Sequence, residues 1–227
     1  MELKAHALLS DANLLAYYPF DDRFDFADGY DLTENGAIVY ATGRYSNAGN
    51  LGVAGINYWN RLVDIFGLTN WSVGGWIKLN SEIGAGFSGI TAFGKTSPNS
   101  FTGRVNYEYN GGTRRLVFER TKPGVASNLF TYNLTLGLLK WWHIFITWDG
   151  STVRGYVDGL PIGSVASSGF GTGGYIDAYG IGIEDSGSFV TYGKYDDWSF
   201  FNRQLTDAEV LSLYRDQVGG FFVGGVV

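Results

Sequence analysis

Apolar residues in this chain recur in short runs, a pattern that predicts β-strands. Most runs span about 5–8 residues between glycine, asparagine, aspartate or serine, a spacing typical of a β-sandwich or barrel. In the run 142–148, alternation with a period of two places Trp142 and Ile144 on one face and His143 and Phe145 on the other. Because both faces are largely apolar, this run is predicted to be a central strand. The other predicted strands are 14–20, 61–66, 72–79, 89–93, 104–109, 115–120, 153–157, 176–183 and 195–201.

One helix is predicted after the last of these strands. The hydroxyl group of Thr206 can cap the free N–H groups of a first helical turn, and Glu209, three residues later, completes a capping box. Leu205 and Val210 occupy the two positions of a hydrophobic staple. Because apolar residues then follow at helical spacing, these signals predict a helix over 207–217.

The composition of the chain agrees with an all-β fold. The 227 residues include 34 glycines, 4 prolines and no cysteine, so turns rather than disulfides organise the chain. Aromatic residues make up 17%, which favours pleated sheets, and the Asp158-Gly159 pair predicts a hairpin turn. No linker, repeat or low-complexity segment interrupts the sequence. It therefore predicts a single domain over 1–227, with its core over 13–217.

Charge and apolar content restrict the expected partners. The chain has 16 basic and 22 acidic residues, and its formal charge of −6 disfavours nucleic acid, whose phosphates require a basic face. No apolar run approaches the ~20 residues that span a membrane, and residues 1–18 show no signal-peptide pattern. The apolar tail 218–227 is expected to lie on its own sheet or to dock on another chain. We favour a homo-oligomer or larger assembly formed through this tail.

Five segments of the sequence carry a resemblance to a known family. They are LAYYPFD at 15–21, WSVGGWIK at 71–78, WHIFITWDG at 142–150, GYVDG at 155–159 and YDDWSFFNRQLT at 195–206. In this order they resemble the laminin-G-like, concanavalin A-like jelly rolls of lectins and glucanases. The resemblance implies an all-β fold, a two-sheet antiparallel jelly-roll sandwich with one short C-terminal helix. Lectins, adhesive modules, hydrolases and virion proteins share this fold, so the resemblance does not by itself assign a function.

Motifs for catalysis are weak in this sequence. Residues 89–96 match the spelling of a phosphate-binding loop, but the run is strand-like and no helical pattern follows it. The resemblance implies that a hydrolase would carry carboxylates alternating on one strand, as E-x-D-x-E or E-x-D-x-x-E, and neither pattern occurs. Carboxylates from separate strands could still meet. His143 stands where the family has a histidine beside a tryptophan, which favours a structural role. We therefore predict a protein that is not an enzyme, with no catalytic residues.

Acidic residues are concentrated in two segments that could hold a calcium ion. The first segment contains Asp21, Asp22, Asp25, Asp28 and Asp31, and the second contains Asp196 and Asp197. The resemblance implies that the first and last strands are neighbours and that Asp25 and Asp197 are ligands, with Asp22 as a further candidate. Several carboxylates with backbone carbonyls suit Ca²⁺. The alternative is a solvated acidic turn in which aspartates cap their own backbone.

Aromatic residues beside amides are the candidates for glycan contact. Sugar rings stack on aromatic faces, and the segments Tyr58-Trp59-Asn60 and 106–110 combine aromatic and amide side chains near glycine-rich turns. We therefore predict ligand contact at Tyr58, Trp59, Tyr107 and Tyr109. Packing in the core is the competing interpretation for each of these rings, as it is for Trp76, Trp142 and Trp148, which lie among aliphatic residues within strands.

The sequence thus favours a non-catalytic, lectin-like recognition or adhesion module that binds glycan or protein. By analogy with the family, we expect it on an extracellular surface or on a virion, as a head decoration or tail component. The alternative is a structural assembly protein that stabilises a capsid or shell and makes only protein contacts. A glycoside hydrolase is less favoured because the alternating carboxylates are missing.

Overall fold

The computed structural model describes residues 7–22, 24, 26, 29–44, 46–52, 56–62, 70–80, 86–95, 100–122, 125–134, 139–166, 178–183 and 190–218. A 3-10 turn over Ala7–Ser10 precedes the first strand. The strands are β1 (Leu14–Tyr18), β2 (Thr33–Asn35), β3 (Val39–Thr42), β4 (Asn47–Asn50), β5 (Tyr58–Leu62), β6 (Trp71–Leu79), β7 (Gly86–Lys95), β8 (Ser100–Asn110), β9 (Thr113–Lys122), β10 (Val125–Asn133), β11 (Trp141–Trp148), β12 (Thr152–Val157), β13 (Leu160–Ala166), β14 (Ala178–Ile181) and β15 (Gly193–Phe201). One helix, α1, spans Asp207–Val218.

These strands form two antiparallel sheets, which confirms the predicted jelly-roll sandwich. The eight-stranded sheet has the order β13-β12-β11-β6-β15-β4-β3, with β1 also paired to β15. The seven-stranded sheet has the order β10-β9-β8-β7-β14-β5-β2. Strand β11 is central as predicted, because β6 and β12 flank it. The pairing of β1 with β15 brings the first strand beside the last, as the resemblance implied.

The core lies between the sheets and is rich in aromatic rings. Trp71, Trp142 and Trp148 of the eight-stranded sheet are buried in the same cluster as Tyr107 and Phe118 of the seven-stranded sheet. The predicted core positions of Trp142 and Trp148 are confirmed. Trp76 is also buried, but it lies on the other face of its sheet, where it packs against Tyr214 of α1.

Helix α1 closes this second face of the eight-stranded sheet. The backbone N–H of Thr206 donates to the Glu209 carboxylate at 2.8 Å, and the N–H of Glu209 donates to the Thr206 hydroxyl at 3.3 Å, so the capping box is confirmed. Leu205 and Val210 are fully buried as the predicted staple. Both pack in a smaller apolar cluster with Phe145.

Sequence reasoning missed several strands at or next to the sheet edges. Strands β2, β3, β4 and β10 were not predicted because they are short or rich in asparagine, threonine and glycine. The predicted strand 61–66 corresponds to β5, which begins earlier, and 63–66 lie outside the described residues. The match to a phosphate-binding loop lies largely within β7. The apolar segment 219–227 also lies outside the described residues, and among those described no helix is long and apolar enough to cross a membrane.

Candidate functional site

Polar side chains lie on the outer side of the seven-stranded sheet, where Asn106, Glu108 and Glu119 are buried and Arg104 and Arg115 are partly exposed. Val105 and Tyr107 of β8 point into the core, so strand alternation turns the residues between and beside them outward. Register pairs Arg104 with Glu119 and Glu108 with Arg115 across β8 and β9. We call the outward set the polar face: Arg104, Asn106, Glu108, Arg115 and Glu119.

Two ion pairs neutralise the carboxylates of the polar face. The guanidinium Nε of Arg104 lies 2.6 Å from Oε2 of Glu119, and Nε of Arg115 pairs in the same way with Glu108. The two glutamate side chains are only 6% and 7% exposed. The hydrogen bond to Glu108 raises the pKa of the Arg115 guanidinium above its ordinary value. These pairs let two carboxylates lie against the sheet without uncompensated charge.

The two glutamates of the polar face lie in different rows of the sheet. Glu119 lies in the Arg104 row and Glu108 lies in the Arg115 row, four residues further along β8. Four residues of strand correspond to ~13 Å, whereas the carboxyl groups of glycosidases stand about 5–9.5 Å apart. Each carboxylate is also bound by its own arginine. The two glutamates are therefore held in two separate ion pairs.

Asn106 lies between the two ion-paired rows and supplies an unused acceptor. Its register partners are Gly89 on β7 and Val117 on β9, neither of which has a polar side chain. The residue is 2% exposed, and its side-chain oxygen accepts no hydrogen bond within the described part of the chain. An unsatisfied buried polar atom costs about 1–3 kcal/mol. A hydroxyl or amide group that reached this oxygen would recover part of that free energy.

Aromatic side chains stand at the border of the polar face. Phe87 of β7 pairs in register with Glu108 and is 46% exposed. Two strands away, Tyr58 and Asn60 point outward from β5, because Trp59 between them points into the core. The amide of Asn35 donates to the side-chain oxygen of Asn60 at 2.9 Å. Exposed ring faces beside oriented polar groups are the combination expected of a saccharide- or protein-binding surface.

The aromatic residues predicted to contact ligand divide into two groups. Trp59 is 0% exposed, packs against Phe20 in a tilted arrangement with ring centroids 4.6 Å apart and points between the sheets. Tyr107 is 1% exposed and belongs to the same core. The expectation that Trp59 and Tyr107 stand at an open rim is therefore wrong. The residues directly before and after each of them along the strand face outward instead.

Tyr58 and Tyr109 keep partial exposure. Tyr58 lies on the outer side of β5, and ligand contact there remains a prediction. Tyr109 lies on the inner side of β8 at the edge of the core, with the guanidinium carbon of Arg114 5.7 Å from its ring centre. The alternation of residues along β8 could have identified Asn106 and Glu108 from the sequence. Val105, Tyr107 and Tyr109 recur with a period of two and face inward, so the polar residues between them face outward.

The acidic residues near β1 and β15 form a separate corner of the molecule. The carboxylate of Asp197 accepts a hydrogen bond from the Tyr17 hydroxyl group. Burial is the largest influence on Asp197 and, with the negative charge of Asp21, raises its pKa to about 6 despite that hydrogen bond. Asp21 itself accepts from the Ser46 hydroxyl at 2.6 Å and from the N–H of Asn47 at 2.9 Å. The influence of the Asp21 charge on Asp197 indicates that the two acidic segments meet at this corner, as the resemblance implied.

The predicted calcium ligands do not assemble into a set among the described residues. Asp22 accepts a hydrogen bond from the N–H of Phe24 at 2.9 Å, the geometry of an aspartate that caps its own turn. Asp25 lies outside the described residues. Across the ranges that the structure describes, no group of three or more histidine, cysteine, aspartate or glutamate side chains could hold a metal ion. Calcium therefore remains a prediction that depends on Asp25.

The chain matches a known protein family. A family model described as the concanavalin A-like lectin/glucanases superfamily matches residues 57–211. No curated protein matches the sequence. The solved structures that resemble the chain include binding domains of botulinum neurotoxins.

Three of these structures illustrate the resemblance. The serotype G binding domain gives a TM-score of 0.69 at 16% identity, with 90% of this chain and 51% of that chain covered. The binding domain of neurotoxin DC in complex with rat synaptotagmin II gives a TM-score of 0.71 at 14% identity, with 90% of this chain and 52% of that chain covered. A third structure comes from botulinum neurotoxin type C, whose cell entry depends on interaction with two ganglioside molecules. It gives a TM-score of 0.73 at 15% identity, with 90% of this chain and 51% of that chain covered. The chain spans about half the length of these relatives, and at this identity the resemblance concerns the fold.

Proposed function

Because the chain belongs to the concanavalin A-like lectin/glucanase superfamily, we propose that it is a non-catalytic recognition module that binds glycan or protein. The observation that carries the proposal is the polar face, where two ion-paired glutamates flank the unsatisfied oxygen of Asn106 beside the exposed ring of Phe87. The neurotoxin structures, with synaptotagmin or gangliosides as partners, support both ligand classes.

A lectin or adhesion role explains the polar face better than hydrolysis. A glycosidase requires one carboxyl group with a raised pKa and a second carboxylate within reach of the same bond. Glu108 and Glu119 are instead bound to separate arginines in separate rows. In the proposed role, the ion pairs hold the sheet surface rigid while Phe87 and Tyr58 supply apolar contact area.

A glycan array with matched variants tests this proposal. We expect saturable binding to a defined set of glycans, reduced at least tenfold in Phe87→Ala and in Tyr58→Ala. Phe24→Ala is the control, because Phe24 is 48% exposed and lies between β1 and β2, outside the strands that form the polar face. A blank array together with self-assembly would favour the structural alternative. Equal losses in Phe87→Ala and Phe24→Ala would also reject the polar face as the site.

Our proposal extends to the surface of a virion or another extracellular particle, as a head decoration or tail component. Support for this setting is the analogy with virion proteins of the same fold and the apolar segment at 218–227. Deletion of 221–227 is expected to lower the oligomeric state measured by light scattering. A monomer before and after deletion would reject assembly through the tail. Immunogold labelling of purified particles tests the setting itself.

We also keep a structural calcium ion as a proposal, with Asp22, Asp25 and Asp197 as candidate ligands. The supporting feature is the β1–β15 corner, where the negative charge of Asp21 contributes to the raised pKa of Asp197. Isothermal titration with Ca²⁺ and melting curves with and without chelator test it. An unchanged melting temperature would remove the ion from the proposal.

A further inference from the structure

Two asparagine residues in this chain are followed directly by glycine, and the fold surrounds them differently. The pairs are Asn35-Gly36 and Asn110-Gly111. Glycine has no Cβ, so its backbone nitrogen is the least hindered for attack on the side-chain amide of a preceding asparagine. Asparagine is for such reasons one of the thermolabile residues of proteins. The surroundings of the two pairs therefore decide where this reaction can occur in the folded chain.

The side-chain amide of Asn35 is held by its neighbours. Its Nδ2 donates to the carbonyl oxygen of Thr33 at 3.3 Å and to the side-chain oxygen of Asn60 at 2.9 Å. Gly36 is enclosed as well, because a Cβ added there would overlap the side-chain amide of Asn57. The Asn35 amide therefore cannot turn toward the Gly36 nitrogen without losing both hydrogen bonds.

Asn110 lies at the open end of the β8–β9 hairpin. It pairs in register with Thr113, and Gly111 and Gly112 between them have φ values of 57° and 84°. Positive φ at both positions is the geometry of a two-residue type I′ turn. All four residues are exposed, and a Cβ added at either glycine would meet no atom within 4 Å.

The reacting groups of this turn are also without restraint in the part of the chain that the structure describes. There the side chain of Asn110 forms no hydrogen bond, and the backbone N–H of Gly111 donates none. The amide of Asn110 can therefore turn toward the Gly111 nitrogen without breaking a contact, in contrast to the amide of Asn35.

We propose that Asn110 is a site of spontaneous deamidation in the folded protein. The backbone nitrogen of Gly111 would lose its proton and form a bond to Cγ of Asn110, and the side-chain nitrogen would take up a proton and leave as ammonia. Water then opens the resulting five-membered imide at one of its two C–N bonds. Opening at Cγ gives aspartate. Opening at the main-chain carbonyl carbon gives isoaspartate, in which the backbone runs through the former side chain.

Both products place a carboxylate at the border of the polar face. Asn110 points to the same outer side as Glu108, because Tyr109 between them points inward. The polar face holds two arginines and two glutamates, so a carboxylate ionised at neutral pH would give it one net negative charge. Isoaspartate would in addition lengthen the backbone beside the turn and disturb the pairing with Thr113. The reaction itself requires no ligand and is independent of the function proposed above.

Peptide mapping of the intact protein after incubation at mildly alkaline pH tests the proposal. Trypsin releases Asn110 in the peptide 105–114 and Asn35 in the peptide 24–44, and fragment spectra distinguish Asn110 from Asn106. We expect the folded protein to deamidate at Asn110 at least tenfold faster than at Asn35. Protein unfolded in guanidinium chloride should react at similar rates at both positions, because glycine follows each of them. Similar rates in the folded protein, or a faster reaction at Asn35, would overturn the proposal.

Matched variants identify the atoms that react. Asn110→Gln retains an amide but requires a six-membered ring, so we expect a reaction at least tenfold slower, whereas Asn35→Gln should leave the rate at Asn110 unchanged. Gly111→Ala places a methyl group beside the attacking nitrogen and should also slow the reaction at least tenfold. A rate in Gly111→Ala equal to that of the wild type would contradict attack by this nitrogen.

A measurement on the whole protein checks the same site. Ion-exchange chromatography of aged wild-type protein should yield a more acidic fraction, and isoaspartyl methyltransferase should label that protein at least fivefold more than aged Asn110→Gln. Equal acidic fractions and equal labelling in the two proteins would assign the new charge to another residue and overturn the proposal.

Discussion

The hydroxyl group of Tyr17 donates a hydrogen bond to the carboxylate of Asp197 and so ties the first strand to the last. The bond favours the ionised carboxylate, but burial and the nearby charge of Asp21 oppose it more strongly and raise the pKa of Asp197 to about 6. The backbone of Asp197 is in the left-handed region, with a φ of 49°, which asparagine also tolerates.

Asp197→Asn should therefore change how stability depends on pH. Because the folded pKa of Asp197 lies above its ordinary value of 3.8, the folded state holds this proton more tightly, and stability falls as pH rises from about 4 to about 6. The contribution is on the order of 2 kcal/mol, and it should be missing in Asp197→Asn. Urea unfolding of both proteins at several pH values, with chelator present, measures the difference. A constant difference across this window would contradict the prediction.

His143→Phe should remove a pH dependence of the opposite sign. The His143 ring is 0% exposed between Trp76 and Tyr214, with centroid distances of 5.0 and 5.9 Å. Burial, with a contribution from Arg44, lowers its pKa to about 3. Since the unfolded histidine titrates near 6.5, the unfolded state binds more protons between about 3 and 6.5, and stability falls as pH decreases through that range.

Between pH 7 and pH 5, the free energy of unfolding of the wild type is expected to fall by roughly 2 kcal/mol because of His143 alone. It should be missing in His143→Phe and retained in His6→Gln, the matched change at the other histidine of the chain. Chemical unfolding at the two pH values provides the measurement. Because Asp197 acts in the opposite direction over part of this range, the single variants, rather than the wild-type curve, carry the information. A loss of equal size in His143→Phe would show that His143 does not titrate on unfolding.

The elements that sequence predicted best are those with local signals. The capping box of Thr206 and Glu209 fixed the start of α1, and the Asp158-Gly159 turn joins β12 to β13 as expected. Strand β4, Asn-Ala-Gly-Asn, has no apolar pattern of its own, because pairing with β3 and β15 determines its structure. Short strands of this kind depend on tertiary context that a local window does not contain.

The candidate site was less predictable than the fold, for a reason visible in β8. In Asn106-Tyr107-Glu108-Tyr109, the sequence draws attention to the aromatic rings, but alternation gives them the inner side and gives the polar residues the outer side. The polar residues form one site only because Glu108 pairs with Arg115 and Arg104 pairs with Glu119, and these pairs join the separate strands β8 and β9. Register, which the sequence does not display, therefore decides the site.

Gly49→Ala should destabilise the fold and confirm that Trp59 is a core residue. A methyl group at Gly49 would overlap the six-membered ring of Trp59 and approach Phe20 to 3.2 Å. Overpacking of this kind costs about 1–3 kcal/mol. Gly163→Ala is a milder control, since its methyl would lie 3.0 Å from one side chain, Phe130.

A double variant identifies the cause of the loss at Gly49. Phenylalanine lacks the indole ring atoms that the new methyl would meet, so Gly49→Ala combined with Trp59→Phe should be less destabilised than the sum of the two single variants. Thermal and urea unfolding give the free energies of unfolding of the wild type, the two single variants and the double variant. Strict additivity would show that Gly49 and Trp59 do not pack against each other.

Arg104→Ala should be more destabilising than removal of the whole ion pair. Glu119 is 6% exposed and lies 2.6 Å from the Arg104 guanidinium, so the single variant leaves a buried carboxylate without its cation. Loss of one partner of a buried pair typically costs about 3–5 kcal/mol, whereas apolar replacement of both partners is often close to neutral. The double variant Arg104→Ala, Glu119→Leu should therefore recover much of the stability lost in Arg104→Ala. A double-mutant cycle by urea unfolding measures the coupling, and independent effects of the two changes would show that this pair does not organise the polar face.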